Sequence, residues 1–237
     1  MDPTERIVIV AGGTGALGRA VSVAFLNAGA TVAVTYRKVE EFTALAVRAG
    51  SRAGHLDGRA LDAADEAAAR QFVEGIVAKY GHLDVLVNAI GGYAGGQKLW
   101  ETDLKTYEQM FELNVQPGFA LARAAVPVML RQRHGCIVNV GSRAALGHAA
   151  GAAAYAASKA AAMALCNSLA EEVKGTGVRV NSILPSIFDT PANRKAMPHA
   201  DFSKWPKPEE IARVVLFLAS DDARLINGAS IPVYGES

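Results

Sequence analysis

Tyr155 and Lys159 lie four residues apart, and Tyr155 follows Ser142 by thirteen. On a helix, residues four apart share a face, and the Ala-rich run 153–173 reads as helix. The phenol and the ammonium are therefore expected to point the same way. A cation beside a phenol favours the phenolate and draws its pKa below the ordinary value near ~10. So tuned, Tyr155 is a candidate acid/base near neutral pH. Ser142 follows the apolar run Cys136-Ile-Val-Asn-Val-Gly141, where a hydroxyl could hold a substrate oxygen. A Tyr-x-x-x-Lys pair on its own is more often a solvated surface pair. Its meaning depends on what the rest of the chain positions beside it.

The N-terminal region supplies that context. Residues 6–11 form a β-branched run suited to a buried parallel strand. The turn Gly12-Gly-Thr14-Gly15-Ala16-Leu17-Gly18 follows, and an amphipathic helix is expected from about Gly15 to Asn27. A helix N-terminus presents unpaired N–H groups and a partial positive charge, and so holds a pyrophosphate. Glycines permit the tight turn and the close approach of backbone to phosphate. A glycine-rich turn is a weak signal alone; between a strand and a helix it becomes credible.

Further helices are expected at 39–49, 65–79, 103–130, 153–174 and 208–219. Strands are expected at 31–36, 58–61, 83–88, 135–141, 177–184 and 229–234. This alternation predicts one Rossmann-type α/β domain over 1–237, a doubly wound parallel sheet of about seven strands with helices on both faces. Hydrophobic content of 51% suffices for a core, and a net charge of +1 without a basic block points away from nucleic acid and membrane surfaces. Cys136 and Cys166 sit in apolar segments as expected free thiols, and no signal-peptide pattern is legible in residues 1–6. A cytoplasmic location is therefore expected. The histidines have no metal-ligand spacing, so no metal is expected. The segment 186–207 lacks clean periodicity but carries Phe188, Met197, Phe202 and Trp205. It is expected to be a substrate lid without regular structure, Phe202 and Trp205 covering the substrate. Tyr93 and Trp100, after the fourth strand, and His148 are further pocket candidates.

Taken in order, these motifs resemble the short-chain dehydrogenase/reductase family over residues 6–234. The match runs through Gly12 and Gly18, Asp62, Asn88-Ala89-Ile90-Gly91, Asn114, Ser142, Tyr155, Lys159 and Pro185-Ser-Ile187-Phe-Asp-Thr190. The chain departs from the family pattern at Ala16, Ile90 and Ser186. The glycine loop and the lid also resemble dihydropteridine-reductase-like members, which lack the serine that Ser142 supplies. The resemblance implies that Ser142, Tyr155, Lys159 and Asn114 are catalytic, with Asn114 supporting a proton relay. It implies cofactor contacts from Gly12, Thr14, Gly15, Ala16, Leu17, Gly18, Asp62, Asn88, Ala89, Gly91, Tyr155, Lys159, Pro185, Ile187 and Thr190.

Cofactor choice is read at the end of the second strand. An acid there would bind the ribose hydroxyls of NAD(H), but the residues are Tyr36, Arg37 and Lys38. Arginine is a bidentate, permanently charged partner for a 2′-phosphate, which favours NADP(H) over NAD(H). The expected activity is NADP(H)-dependent reduction of a ketone or aldehyde to an alcohol, or the reverse. A pteridine reductase is one alternative; a non-catalytic nucleotide-sensing protein is another, although such relatives usually lose the tyrosine or lysine. A homotetramer or homodimer is expected through faces bearing Ala160, Ala161 and Ala164, and Val214, Val215, Phe217 and Leu218.

Overall fold

The computed structural model describes residues 6–237. Seven strands form one sheet: β1 (Ile7–Ala11), β2 (Thr31–Tyr36), β3 (Leu56–Ala60), β4 (Val85–Asn88), β5 (Gly135–Val140), β6 (Val178–Pro185) and β7 (Ser230–Val233). Their order is β3-β2-β1-β4-β5-β6-β7 and every pairing is parallel. The order reverses between β1 and β4. At that point the connecting chains leave in opposite directions and open a crevice at the strands' C-terminal ends. Ala11 pairs with Asn88, and Asn88 with Asn139, so the crevice floor is set by register.

Alternation along each strand divides the core in two. Val8, Val10, Val32, Val34, Val85, Val87 and Val138 face α1 (Ala16–Asn27), α2 (Val39–Ala49) and α8 (Pro208–Ala219). Ile7, Ile9, Ala33, Leu86, Ile137 and Val180 face α3 (Glu66–Tyr80), α5 (Gln116–Gln132) and α6 (Ala153–Glu172). Ile9 and Leu86 are almost fully buried, and truncating either to Ala should cost about 2–5 kcal/mol. The helix starts are built locally: Asp65 caps α3 by accepting from Ala67 and Ala68 N–H.

Two expectations about elements are corrected. The run 103–130 is two helices, α4 (Leu104–Asn114) and α5, joined at Val115. Pro117 has no N–H to give the Leu113 carbonyl, so the ladder cannot run through. The segment 186–207 does contain regular structure: α7 (Pro191–Ala196), capped by Thr190, and a 3₁₀ turn at Phe202–Lys204. Its signals are positional: a threonine cap before Pro191 at the first helical turn, in a helix too short for periodicity to register. The excursion is closed at its base by Asp189 N–H donating to the Pro206 carbonyl (2.9 Å). No helix among the described residues is long and apolar enough to cross a membrane.

Candidate active site

The crevice is lined first by the β1–α1 turn. Gly12 adopts φ +70°, and a Cβ on Gly18 would lie 2.1 Å from the Gly12 carbonyl oxygen, so the turn requires glycine at both places. Gly12 N–H donates to Thr35 Oγ1 (2.9 Å), which ties the turn to β2. Thr14 is buried, and its hydroxyl donates to Glu41 of α2 (3.1 Å). Gly15 caps α1 without a side-chain acceptor, and the first turn holds no acidic residue. Its N–H groups therefore stay available to an anion. Gly15 and Ala16 are exposed, and Leu17 and Gly18 are buried beneath them. A groove of about 510 Å³ runs from Ala16 and Arg19 to Thr190, Arg194 and Lys207.

At the end of β2, Tyr36 stacks on Phe42 with ring centroids 4.8 Å apart. Lys38 is exposed. Arg37 approaches Asp62, guanidinium to carboxylate, at 3.8 Å, both more than half exposed. Thus two residues expected to contact different parts of a cofactor meet each other. The Asp62 side chain also accepts from Ala64 N–H.

Beyond β4, Asn88 donates to Asn139 (3.1 Å) and accepts from Ile90 N–H, while Ala89 N–H reaches back to the Ala11 carbonyl. Gly91 lies directly under the lysine: a Cβ there would sit 2.8 Å from Lys159 Nζ and 2.9 Å from Asn114 Oδ1. Asn114, at the end of α4, is 2% exposed. It accepts from Gly92 N–H (2.9 Å) and donates to the Gly92 carbonyl (3.1 Å) and Ser158 Oγ (3.0 Å). Its side chain thus fastens the 91–92 backbone to α6. Sequence reasoning missed Ser158, fully buried, which donates to the Tyr155 carbonyl (2.8 Å). The available signal was one small polar residue in an alanine run, immediately before the lysine.

Ser142, Tyr155 and Lys159 converge above β5. The Ser142 hydroxyl hydrogen-bonds the Tyr155 phenol and accepts from Ala144 N–H. Lys159 is 5% exposed and donates to the Val140 carbonyl (3.2 Å). Burial draws the lysine down from its ordinary value of 10.5 to about 8. Tyr155 moves the other way from expectation. Burial raises its pKa, the Ser142 bond lowers it, and the neighbouring Tyr93 adds a smaller upward push. The Lys159 ammonium donates to the Val140 carbonyl rather than to the phenol. The phenol therefore stands protonated at neutral pH.

Pro185 ends β6, Ile187 is half-buried, and Thr190 is buried at the start of the 186–207 excursion. Two aromatic rings of this excursion touch each other. Trp205 is 7% exposed, and Phe202 packs on it at 4.9 Å with the Arg194 guanidinium 4.9 Å from the Phe202 ring. Phe202 and Trp205, expected to cover a substrate, pack on each other, with Trp205 buried and Phe202 half-buried. His148 is exposed, and Trp100 is 78% exposed with Lys98 against its ring. No group of three His, Cys, Asp or Glu residues that could hold a metal occurs among the described residues.

These residues fit a nicotinamide dinucleotide. The uncapped α1 N-terminus would take the pyrophosphate, and the buried Lys159 ammonium would hold the ribose.

Comparison with known proteins agrees with the geometry. Residues 6–201 match the short chain dehydrogenase family. The chain is 31% identical to a 3-oxoacyl-[acyl-carrier-protein] reductase of Thermotoga maritima, over 97% of this chain and 96% of that one. It is 33% identical to D-threitol dehydrogenase of Mycolicibacterium smegmatis, over 97% of this chain and 92% of that one. The solved structure of ElxO with NADP bound superposes with a TM-score of 0.91 at 26% identity, covering 97% of each chain. The fold, the convergence of Ser142, Tyr155 and Lys159, and these matches lead to one conclusion: the chain is an oxidoreductase-type protein belonging to the short-chain dehydrogenase/reductase family.

Proposed function

We propose that this protein reduces a ketone or aldehyde to an alcohol with NADP(H), or runs the reverse, through Ser142, Tyr155 and Lys159. One observation carries the reading: a protonated, half-buried phenol bonded to a serine hydroxyl, beside a buried lysine, at the C-terminal end of β5. The bound dihydronicotinamide supplies hydride to the carbonyl carbon. Ser142 holds the carbonyl oxygen, and Tyr155 gives its proton to that oxygen as charge develops there. Lys159 binds the nicotinamide ribose and replenishes the phenol's proton. Asn114 and Ser158 hold the Gly91–Gly92 backbone and α6 in register beneath these groups.

Arg37 is the 2′-phosphate partner in this reading, with Tyr36 and Lys38 beside it. Its pairing with Asp62 does not oppose this. An exposed pair at 3.8 Å is worth at most about 1 kcal/mol, so a doubly charged phosphate displaces the carboxylate readily. The NADP-bound relative and the acyl-carrier-protein reductase support a carbonyl substrate and this cofactor. We place the enzyme in the cytoplasm as a homo-oligomer. In the structure Val215 and Leu218 belong to the core, so the contact would rest on exposed Ala164, Leu165 and Phe217. The test is an NADPH-oxidation screen with aldehydes, ketones, β-keto thioesters and quinonoid pterin. Turnover of a carbonyl compound supports the reading; turnover of the pterin alone would replace it with pteridine reduction.

A further inference from the structure

We propose that Tyr93 is the specificity-determining wall of the substrate site, and that the substrates are flat carbonyl compounds whose ring lies against it. The proposal deepens the reductase reading and rests on it. Tyr93 meets the ring of Tyr155 edge to face, with centroids 5.0 Å apart and planes at 76°. It therefore adjoins the proton donor directly. It is also 66% exposed, so most of its ring is open to a ligand.

An exposed tyrosine is ordinarily free to rotate, but this one is held from several sides. The backbone just before it is clamped at Gly92, whose N–H and carbonyl both bond Asn114. Just after it, Gly95 receives the phenol end: a Cβ on Gly95 would lie 2.4 Å from Tyr93 Oη and 2.8 Å from the Gly151 carbonyl oxygen. Gly96 N–H donates to that same carbonyl (2.8 Å), which ties the loop to the segment leading into α6. A fixed ring with an open surface costs little entropy to bind against and selects for planarity.

The other rings of the crevice are engaged. Tyr36 stacks on Phe42 at the far end, and Phe202 packs on Trp205 in the lid. Tyr93 is the ring that touches Tyr155 and still keeps most of its own surface open. Because it touches Tyr155, a ring seated on it brings a carbonyl to the Ser142–Tyr155 pair when that carbonyl is attached to the ring itself. Aryl aldehydes and aryl ketones have this shape; a saturated ring of equal size is puckered and stacks poorly.

The test compares benzaldehyde with cyclohexanecarbaldehyde as NADPH-dependent substrates. In parallel, ligand-observed NMR measures benzyl alcohol and cyclohexylmethanol on the NADP⁺-loaded protein. Tyr93→Leu should raise KM for benzaldehyde roughly tenfold, the scale of a lost aromatic pair, and change KM for the saturated aldehyde little. Tyr93→Phe should keep the aryl preference. Gly95→Ala, which displaces the phenol, should reproduce part of the Tyr93→Leu effect. Equal changes for both substrates, or none, would overturn the assignment. If neither aldehyde turns over but Tyr93→Leu abolishes a binding preference for the aryl alcohol, Tyr93 stands and the reductase reading falls. If binding has no Tyr93-dependent preference, the proposal falls whatever the turnover.

Discussion

Lys159 carries a cost that follows from its position. Its pKa falls from 10.5 to about 8 because burial disfavours the ammonium. For a base whose folded pKa lies below its unfolded one, the unfolded chain holds the proton more tightly. Stability is then lowest below pH 8, rises between pH 8 and 10.5, and carries no penalty above that window. The penalty is about 3 kcal/mol. We predict that Lys159→Met raises the melting temperature by several degrees at pH 7 while abolishing turnover, and that the gain vanishes near pH 10.5. Scanning calorimetry at both pH values checks this; an unchanged or lower melting temperature at pH 7 would contradict it. A second prediction concerns Arg37. Arg37→Asp should weaken NADPH binding at least tenfold and leave NADH binding unchanged or improved, as read by calorimetric titration. Equal affinity of the parent for both cofactors would count against the assignment. Of these residues, Tyr155 and Lys159 were legible because four-residue spacing is a local property. The direction of the Tyr155 shift was not, because its largest cause, burial, is contributed by the fold. The Arg37–Asp62 pair was hidden for the same reason: its members belong to different loops.

At the scale of elements, strands and long helices were readable from period and β-branching. The two misreadings share a cause. Where α4 meets α5, hydrophobic periodicity continues across Val115, and only the missing N–H of Pro117 marks the break. In the lid, α7 spans Pro191–Ala196 and is too short for a period to register. The 186–207 excursion also has a well-anchored and an exposed part. Its base is anchored by buried Trp205 and by the Asp189–Pro206 bond, and Arg194 grips Asp189 through two contacts of 2.6 and 2.7 Å. Residues 195–199 are exposed. We therefore predict that NADP⁺ binding slows hydrogen exchange in 190–200 and leaves the amide of Trp205 and the strands β1 and β5 nearly unchanged. Uniform slowing across 186–207 would show that the whole excursion closes as one body.

For the whole molecule, alternating strand and helix signals implied a parallel doubly wound sheet, and right-handed crossovers restrict the orders it can take. What composition could not show was which apolar helix faces are spent on the core. Val215 and Leu218 are fully buried against the sheet, whereas Leu165 and Phe217 keep 42% and 45% exposure. If self-association uses those exposed faces, Phe217→Asp should shift the mass toward smaller species at micromolar concentration in light scattering. A parent protein that is already a monomer would remove that proposal without touching the site. Tyr155 is the proposed proton donor of the carbonyl reduction. Its most direct test is steady-state NADPH oxidation by the parent and by Tyr155→Phe with the best carbonyl substrate of the screen, with NADPH affinity measured on both proteins. A fall in kcat of about 10²–10⁴-fold with NADPH affinity retained is expected; a variant that keeps most of its turnover would overturn Tyr155 as the donor.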